Sequence, residues 1–236
     1  MRVILISGTE RKTNKPVQYF AKDCKRLSRY LINRVGLKKK DIYFFDPKCI
    51  LKIKLRGLLN KIKEIVNKNS NEPLLIYYSG HGLSKMWSLY ELNDRRMKSY
   101  SLHFDALIRA VKDHNSALIV VADTCFAMSL KHYLKKLRFP WQLIGLAPEG
   151  RYGESDGILG QVLKSWSRHY PANPKFNTGK RLVRYFRIKK YDRTKYGFRY
   201  GEDGCLHKFF FCYSIKRIKV VLRAGIDFDH LLYPKK

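Results

Sequence analysis

A histidine and a cysteine stand in this chain where each could take part in nucleophilic chemistry. His81 ends the stretch Leu74-Leu75-Ile76-Tyr77-Tyr78-Ser79-Gly80-His81-Gly82, and Cys125 ends Ala117-Leu118-Ile119-Val120-Val121-Ala122-Asp123-Thr124-Cys125. Both stretches are apolar runs that break abruptly into small and polar residues. A strand buried on both faces reads this way as it leaves a parallel sheet. The carboxyl ends of such strands are where open α/β sheets hold their chemistry. Two strands would therefore deliver an imidazole and a thiol to one rim. A thiol reacts as its thiolate, and a neighbouring histidine is the usual means of producing one. The plainer reading is a turn histidine and an inert buried thiol, which either residue alone would more often be. Both together, with glycines flanking the histidine, point to a Cys–His pair.

The elements that must position this pair follow from periodicity. Val3-Ile4-Leu5-Ile6 is a first buried strand, and the polar stretch through Lys15 a loop at its carboxyl end. From Pro16 to Val35 apolar residues recur at helical spacing, with Pro16 suited to the first turn and Gly36 to the C-terminal cap. Ile42 to Phe45 is a strand closed by Asp46-Pro47. Leu51 to Val66 is a lysine-rich amphipathic helix burying Leu55, Leu58, Leu59, Ile62, Ile65 and Val66. After the His81 strand come a short strand over Trp87 to Leu92 and a helix over Ser101 to Lys112. After the Cys125 strand come a helix over Ala127 to Leu137, a strand over Trp141 to Leu146, a loop from Gly150 to Gly157 and a helix over Ile158 to Trp166. This alternation predicts an α/β fold with a mostly parallel sheet and helices on both faces. Beyond Pro171 the texture turns β-rich, with candidate strands at Leu182 to Ile188, Phe209 to Ile215 and Ile218 to Leu222. The expected organisation is one domain over residues 2–168 and a basic, aromatic-rich β extension over 169–236 that completes or decorates it.

Charge is the outlying bulk property. Against 19 Asp+Glu stand 49 Lys+Arg, a formal net charge of +30. A polyanionic partner such as nucleic acid would account for it. So would an acidic protein, and so would a lysine-favouring genome, since no like-charge block longer than Lys38-Lys39-Lys40 occurs. Five cysteines (24, 49, 125, 205 and 212) show no CxxC spacing, which argues against a disulfide framework or zinc knuckle and fits a reducing compartment. Val3 to Ile6 is too short for a signal-peptide core, and no apolar run reaches the length of a membrane span. The expectation is a soluble cytoplasmic protein without membrane contact.

Tyr77-Tyr78-Ser79-Gly80-His81-Gly82 followed by Asp123-Thr124-Cys125 resembles the caspase-like cysteine peptidases, and most of all their metacaspase and prokaryotic branch. The resemblance spans roughly residues 2–168. Ala21-Lys22-Asp23 resembles the acidic position in the family's first helix, and Trp87 to Asp94 its hairpin after the His-Gly. Ala147 to Gly150 and Gly157 to Leu163 resemble the segment after the catalytic strand. The resemblance implies a cysteine endopeptidase; no cofactor or metal site is expected from these residues. Cys125 would be the nucleophile that forms an acyl-enzyme, and His81 the base and then the acid toward the leaving amine. The backbone amides of Gly82 and Cys125 would donate to the oxyanion. Metacaspases cleave after Arg or Lys, and the matching carboxylates are Asp123 and Asp23. Asp123 could equally cap the turn after its strand. One departure stands out: Phe126-Ala127-Met128 follows the nucleophile where metacaspases carry a His-Ser-Gly type of run, so a larger apolar residue would reshape the pocket. Basic specificity would make Lys131, Lys135, Lys136 and Arg138 candidate self-cleavage sites. Calcium, which some metacaspases require, would have only Glu149, Glu154, Asp156 and the Glu202-Asp203 pair, a sparse set.

Two rival readings carry weight. One is a caspase-like scaffold, inactive or gated, that binds nucleic acid or an acidic protein. Arg184, Arg187, Lys189, Lys190, Arg193, Lys195 and Arg199 interleave with Tyr185, Phe186, Tyr191, Tyr196, Phe198 and Tyr200, as in single-strand stacking platforms. A two-faced hairpin with its aromatics in the core would show the same pattern, and no nucleic-acid motif is present. The other is a small-molecule hydrolase using Cys125, for which no phosphate loop or cofactor signature exists.

Overall fold

The computed structural model describes residues 1–9, 18–33, 36–68, 71–90, 100–145, 193–194, 197–199, 206–207 and 210–213. The runs that are apolar at every position become the centre of the sheet. Strand β1 (Arg2–Ser7) is followed by helix α1 (Gln18–Asn33), β2 (Ile42–Phe45), α2 (Pro47–Lys68) and β3 (Leu74–Ser79). Then come β4 (Gly82–Leu83), β5 (Met86–Tyr90), β6 (Tyr100–His103), α3 (Phe104–Val111) and β7 (Leu118–Asp123). A 3-10 turn (Ala127–Leu130), α4 (Lys131–Leu134) and β8 (Trp141–Gly145) complete the contiguous part. Among the later residues are β9 (Arg193–Thr194), β10 (Gly197–Arg199), β11 (Leu206–His207) and β12 (Phe210–Tyr213).

The main sheet runs β12-β8-β7-β3-β1-β2. Its first five strands by sequence are mutually parallel, and β12 joins the β8 edge antiparallel. Every residue of β3 and β7 is buried, which is why their sequences do not alternate. Alternate residues nevertheless serve different layers. Ile4, Ile6, Ile76, Tyr78, Val120 and Ala122 pack with Leu58, Ile62 and Val66 of α2 and Leu107 and Val111 of α3. Leu5, Tyr77 and Val121 point the other way, toward the face on which α1 packs against β1 and β3. Helices thus cover both faces, as the alternating pattern requires. Register aligns Ser7 with Ser79 and Ser79 with Asp123, so the strands carrying His81 and Cys125 end level.

Three local expectations need correction. The helix over Leu51 to Val66 begins earlier, at Pro47. Asp46 accepts the Cys49 amide at 2.8 Å through its side chain, an N-cap with proline in the first turn. That helix is interrupted at Lys54, whose φ of 60° is not helical. The helix expected from Ser101 starts only at Phe104, because Tyr100–His103 pairs with β5 in an antiparallel sheet β4-β5-β6, placing Leu102 opposite Trp87. The helix expected over Ala127 to Leu137 is a 3-10 turn and one short α-turn. The Ser129 amide bonds the Phe126 carbonyl at 2.9 Å, and i to i+3 bonds recur at Lys136 and Leu137; apolar spacing alone does not separate these helix types over such a length. The expected helix at 158–166 and the strands at 182–188 and 218–222 lie outside the described residues. Within 209–215 the strand is Phe210–Tyr213, paired with Gln142 to Gly145.

Candidate active site

The chain leaves β3 through two glycines that cannot be replaced without moving something. A Cβ on Gly80 would overlap the ring of Tyr78 and lie 3.1 Å from the Cα of Gly8. Tyr78 folds back here because its hydroxyl sits 2.7 Å from the His81 carbonyl oxygen and 2.6 Å from that of Ser88. The Ser88 amide also donates to the His81 carbonyl, at 2.8 Å. The backbone of His81 is therefore held from the strand before it and from the hairpin after it. Behind the turn, Tyr78 stacks on Trp87 at 4.4 Å, and Trp87 meets Phe104 edge-on. The imidazole itself lies edge-to-face with Phe20 of α1, ring centroids 5.5 Å apart.

Gly82 joins the two motifs. A Cβ there would fall into the side chain of Thr124 and within 2.5 Å of the Cys125 carbonyl oxygen. The His81-Gly82 turn and the Thr124-Cys125 turn are thus in direct contact, bridged at the strand ends by the Gly80 amide donating to the Asp123 carbonyl at 3.3 Å. Cys125 is half-buried and, like Cys24 and Cys49, is in no disulfide among the described residues. Directly after it, Phe126 adopts a left-handed conformation, φ 54° and ψ 22°. β-carbon crowding makes that conformation rare for any residue but glycine, Asn or Asp. It turns the chain sharply from β7 into the 3-10 turn, which Gly145 of β8 lets approach: a Cβ at Gly145 would lie 2.7 Å from that of Ala127.

Both sequence-nominated carboxylates lie under this rim and are fully buried. The Tyr77 hydroxyl donates to Asp123 Oδ2 at 3.1 Å, and Arg26 Nη1 donates to Asp23 Oδ1 at 3.1 Å. Burial pushes Asp23 up to about 6, against the lowering effect of Arg26. Burial raises Tyr77 and Cys24 well above their ordinary values, and both carboxylates push each of these groups further. Asp23 and Asp123 therefore act on the same two neighbours and belong to one acidic cluster. The protonated Cys24 thiol is spoken for: it donates to the Ile6 carbonyl at 3.6 Å.

All five nominated positions, Asp23, His81, Gly82, Asp123 and Cys125, thus gather at the carboxyl ends of β3 and β7 and the adjoining face of α1. Lys135, Lys136 and Arg138 are exposed and Lys131 half-exposed beyond the Cys125 turn, and Lys136 pairs with Asp105 at 2.9 Å. The calcium candidates fall outside the described residues, and among those described no cluster of three or more His, Cys, Asp or Glu is placed to hold a metal ion. No described helix is long and apolar enough to cross a membrane. Sequence reasoning missed Phe20, Arg26, Tyr77, Tyr78 and the backbone of Phe126. Only Arg26 left a readable signal, three residues after an acidic position on a helix.

This architecture is caspase-like. Caspase-1 from Spodoptera frugiperda superposes with a TM-score of 0.52 over 91% of this chain and 85% of that protein, at 11% identity. Raptor from Chaetomium thermophilum matches with a TM-score of 0.43 and 9% identity, over 80% of this chain and 18% of Raptor. No protein-family model matches the sequence, and no curated protein does. At such identities the likeness speaks to the fold, and the chemistry has to be argued from this chain's own residues.

Proposed function

We propose that the chain is a cysteine endopeptidase of the metacaspase-like kind, working through a Cys125–His81 dyad and cleaving after Arg or Lys. The observation that carries the proposal is the contact of Gly82 with Thr124 and Cys125, which supports a histidine and a cysteine meeting at the ends of adjacent strands. Cys125 Sγ attacks the scissile carbonyl carbon while His81 takes its proton. The imidazolium then protonates the leaving amine, and water activated by His81 hydrolyses the thioester. The amides of Gly82 and Cys125 receive the oxyanion, where one such donor is typically worth about 10²–10³ in kcat. Buried Asp123 and Asp23 form the subsite for the basic side chain preceding the cut. Self-cleavage at Lys131, Lys135, Lys136 or Arg138 is consistent with their exposure, and a Cys125→Ala protein should then stay intact. Cysteines without CxxC spacing favour a reducing, cytoplasmic setting.

The test is titration of the purified protein with an Arg- or Lys-directed chloromethyl ketone, read by intact mass and peptide mapping. One adduct on Cys125, absent from Cys125→Ala and lost in His81→Ala, is the expected result; an unmodified folded protein would overturn the reading. A fluorogenic peptide panel checks the specificity separately, and fastest turnover of an Asp peptide would sink the basic preference.

One observation favours a second activity alongside the first. Lys48, Lys52, Lys54, Arg56, Lys61, Lys63 and Lys68 are exposed along α2 with Glu64 as the one acid among them. Such a face suits a polyanionic partner, nucleic acid or an acidic protein. Steeply salt-dependent retention on heparin, reduced when four of these lysines are changed to Gln, would support it.

A further inference from the structure

Arg26 occupies the carboxylate that a substrate's basic side chain would need. Phe20, Asp23 and Arg26 fall three residues apart along α1 and so share a stripe of that helix. The stripe begins at the dyad, since Phe20 lies edge-on to the His81 ring. Asp23 is 1% exposed, whereas Arg26 is 39% exposed. The guanidinium reaches in from the surface to one oxygen, Oδ1, at 3.1 Å. The second oxygen, Oδ2, is buried with no hydrogen-bond partner among the described residues. A buried carboxylate in a well-satisfied structural pair accepts on both oxygens, often from a bidentate arginine. Here the arginine is monodentate, rooted in the same helix, and open to water at its other side.

We propose that Arg26 is the resting occupant of the basic-residue subsite, an internal competitor that an incoming Arg or Lys side chain displaces. The inference rests on the basic-specificity reading above and adds its regulation. On displacement the Arg26 head swings to solvent on its flexible stem, which costs little because a surface guanidinium is readily hydrated. A substrate guanidinium can then take both oxygens of Asp23, while a lysine ammonium satisfies them only as a point charge. The competitor therefore weakens Arg and Lys ligands by the same factor, since each must displace the same ion pair, while the Arg ligand keeps the advantage of its two hydrogen bonds.

Agmatine, whose guanidinium cannot be cleaved, and 1,4-diaminobutane, which carries an ammonium in the guanidinium's place, serve as probes. Their affinities are measured by calorimetry at pH 8 for the wild-type chain, Arg26→Ala, Arg26→Gln and Asp23→Asn, each checked for folding by circular dichroism. Expected is agmatine binding about tenfold tighter in Arg26→Ala and Arg26→Gln, a similar gain for 1,4-diaminobutane, and loss of both in Asp23→Asn. On peptide substrates the gain should fall on KM rather than kcat. Weaker or unchanged agmatine binding in both Arg26 variants would overturn the gate while leaving the basic subsite standing. Agmatine binding to none of the four proteins would overturn the subsite and the gate together. Arg26→Gln keeps the length of the stem, so the comparison survives if Arg26→Ala fails to fold.

Discussion

Phe126 and Asp23 show how much of this site is decided by single residues in unfavourable states. A phenylalanine at φ 54° carries roughly 1–2 kcal/mol of backbone strain that glycine would not. Phe126→Gly should therefore match or exceed the wild type in urea stability. Phe126→Val, β-branched in the same conformation, should lose about 2 kcal/mol or more. Equal stability of the two variants would mean the strain is not there. Asp23 is unfavourable in its charge: burial lifts it to about 6 although Arg26 pulls it down. A carboxyl raised on folding stabilises the fold below its unfolded value near 4 and loses that contribution as pH rises through about 6. The group faces Arg26, Tyr77 and Cys24, and Asp123, which acts on the same tyrosine and cysteine, is the other carboxyl nearby. Agmatine affinity should consequently fall as pH drops through about 6, and an affinity that stays flat through that range would place the titration elsewhere.

At the scale of elements, two turns and one hairpin hold the proposed dyad. Gly82→Ala forces the His81 turn away from Thr124 and Cys125, and a displacement near 1 Å at a reacting pair costs on the order of 10²-fold in rate. We expect at least that loss in kcat/KM with the fold retained. Gly145→Ala should act on the other turn by pressing Ala127 and Met128 outward, with a smaller loss. Tyr78→Phe removes the hydroxyl that meets the His81 and Ser88 carbonyls but keeps the stack on Trp87. Its stability cost should stay near 1 kcal/mol, as one hydrogen bond allows, while activity drops severalfold. Wild-type activity in Tyr78→Phe would show that the Ser88 amide alone fixes the histidine turn.

For the whole molecule, acid sensitivity should come from the end of the sheet opposite His81 and Cys125. His114 is buried before β7, its Nε2 donating to the Ala117 carbonyl at 3.3 Å and its ring edge-on to Phe139. Burial lowers its affinity for protons, partly offset by the Ala117 bond. The unfolded chain thus binds a proton near pH 6.5 that the folded chain refuses, so stability present above that pH is lost as pH falls. His114→Leu should flatten the decline in urea midpoint between pH 7 and 5. An unaltered decline would assign acid sensitivity to other groups. This slope opposes that of Asp23, and the two can be separated because each is removed by its own substitution.

The sequence by itself determined the five parallel strands of the main sheet and the two residues most worth mutating. A strand buried on both faces must be apolar throughout, so Leu74 to Tyr78 and Leu118 to Ala122 announce themselves, and the polar break marks the rim where His81 and Cys125 emerge. It also placed Asp23 on the first helix through a resemblance of local pattern. The start of α3 and the shape of the chain after Cys125 were decided only in three dimensions. Tyr100 to His103 becomes a strand because β5 offers its edge, and the turn after Phe126 tightens because Gly145 lets it close on β8. The partners of the carboxylates were hidden for the same reason. Tyr77 and Asp123 are 46 residues apart and meet because β3 and β7 lie side by side on the same pleat. Periodicity records which face a residue takes, and only strand order and register say what it finds there.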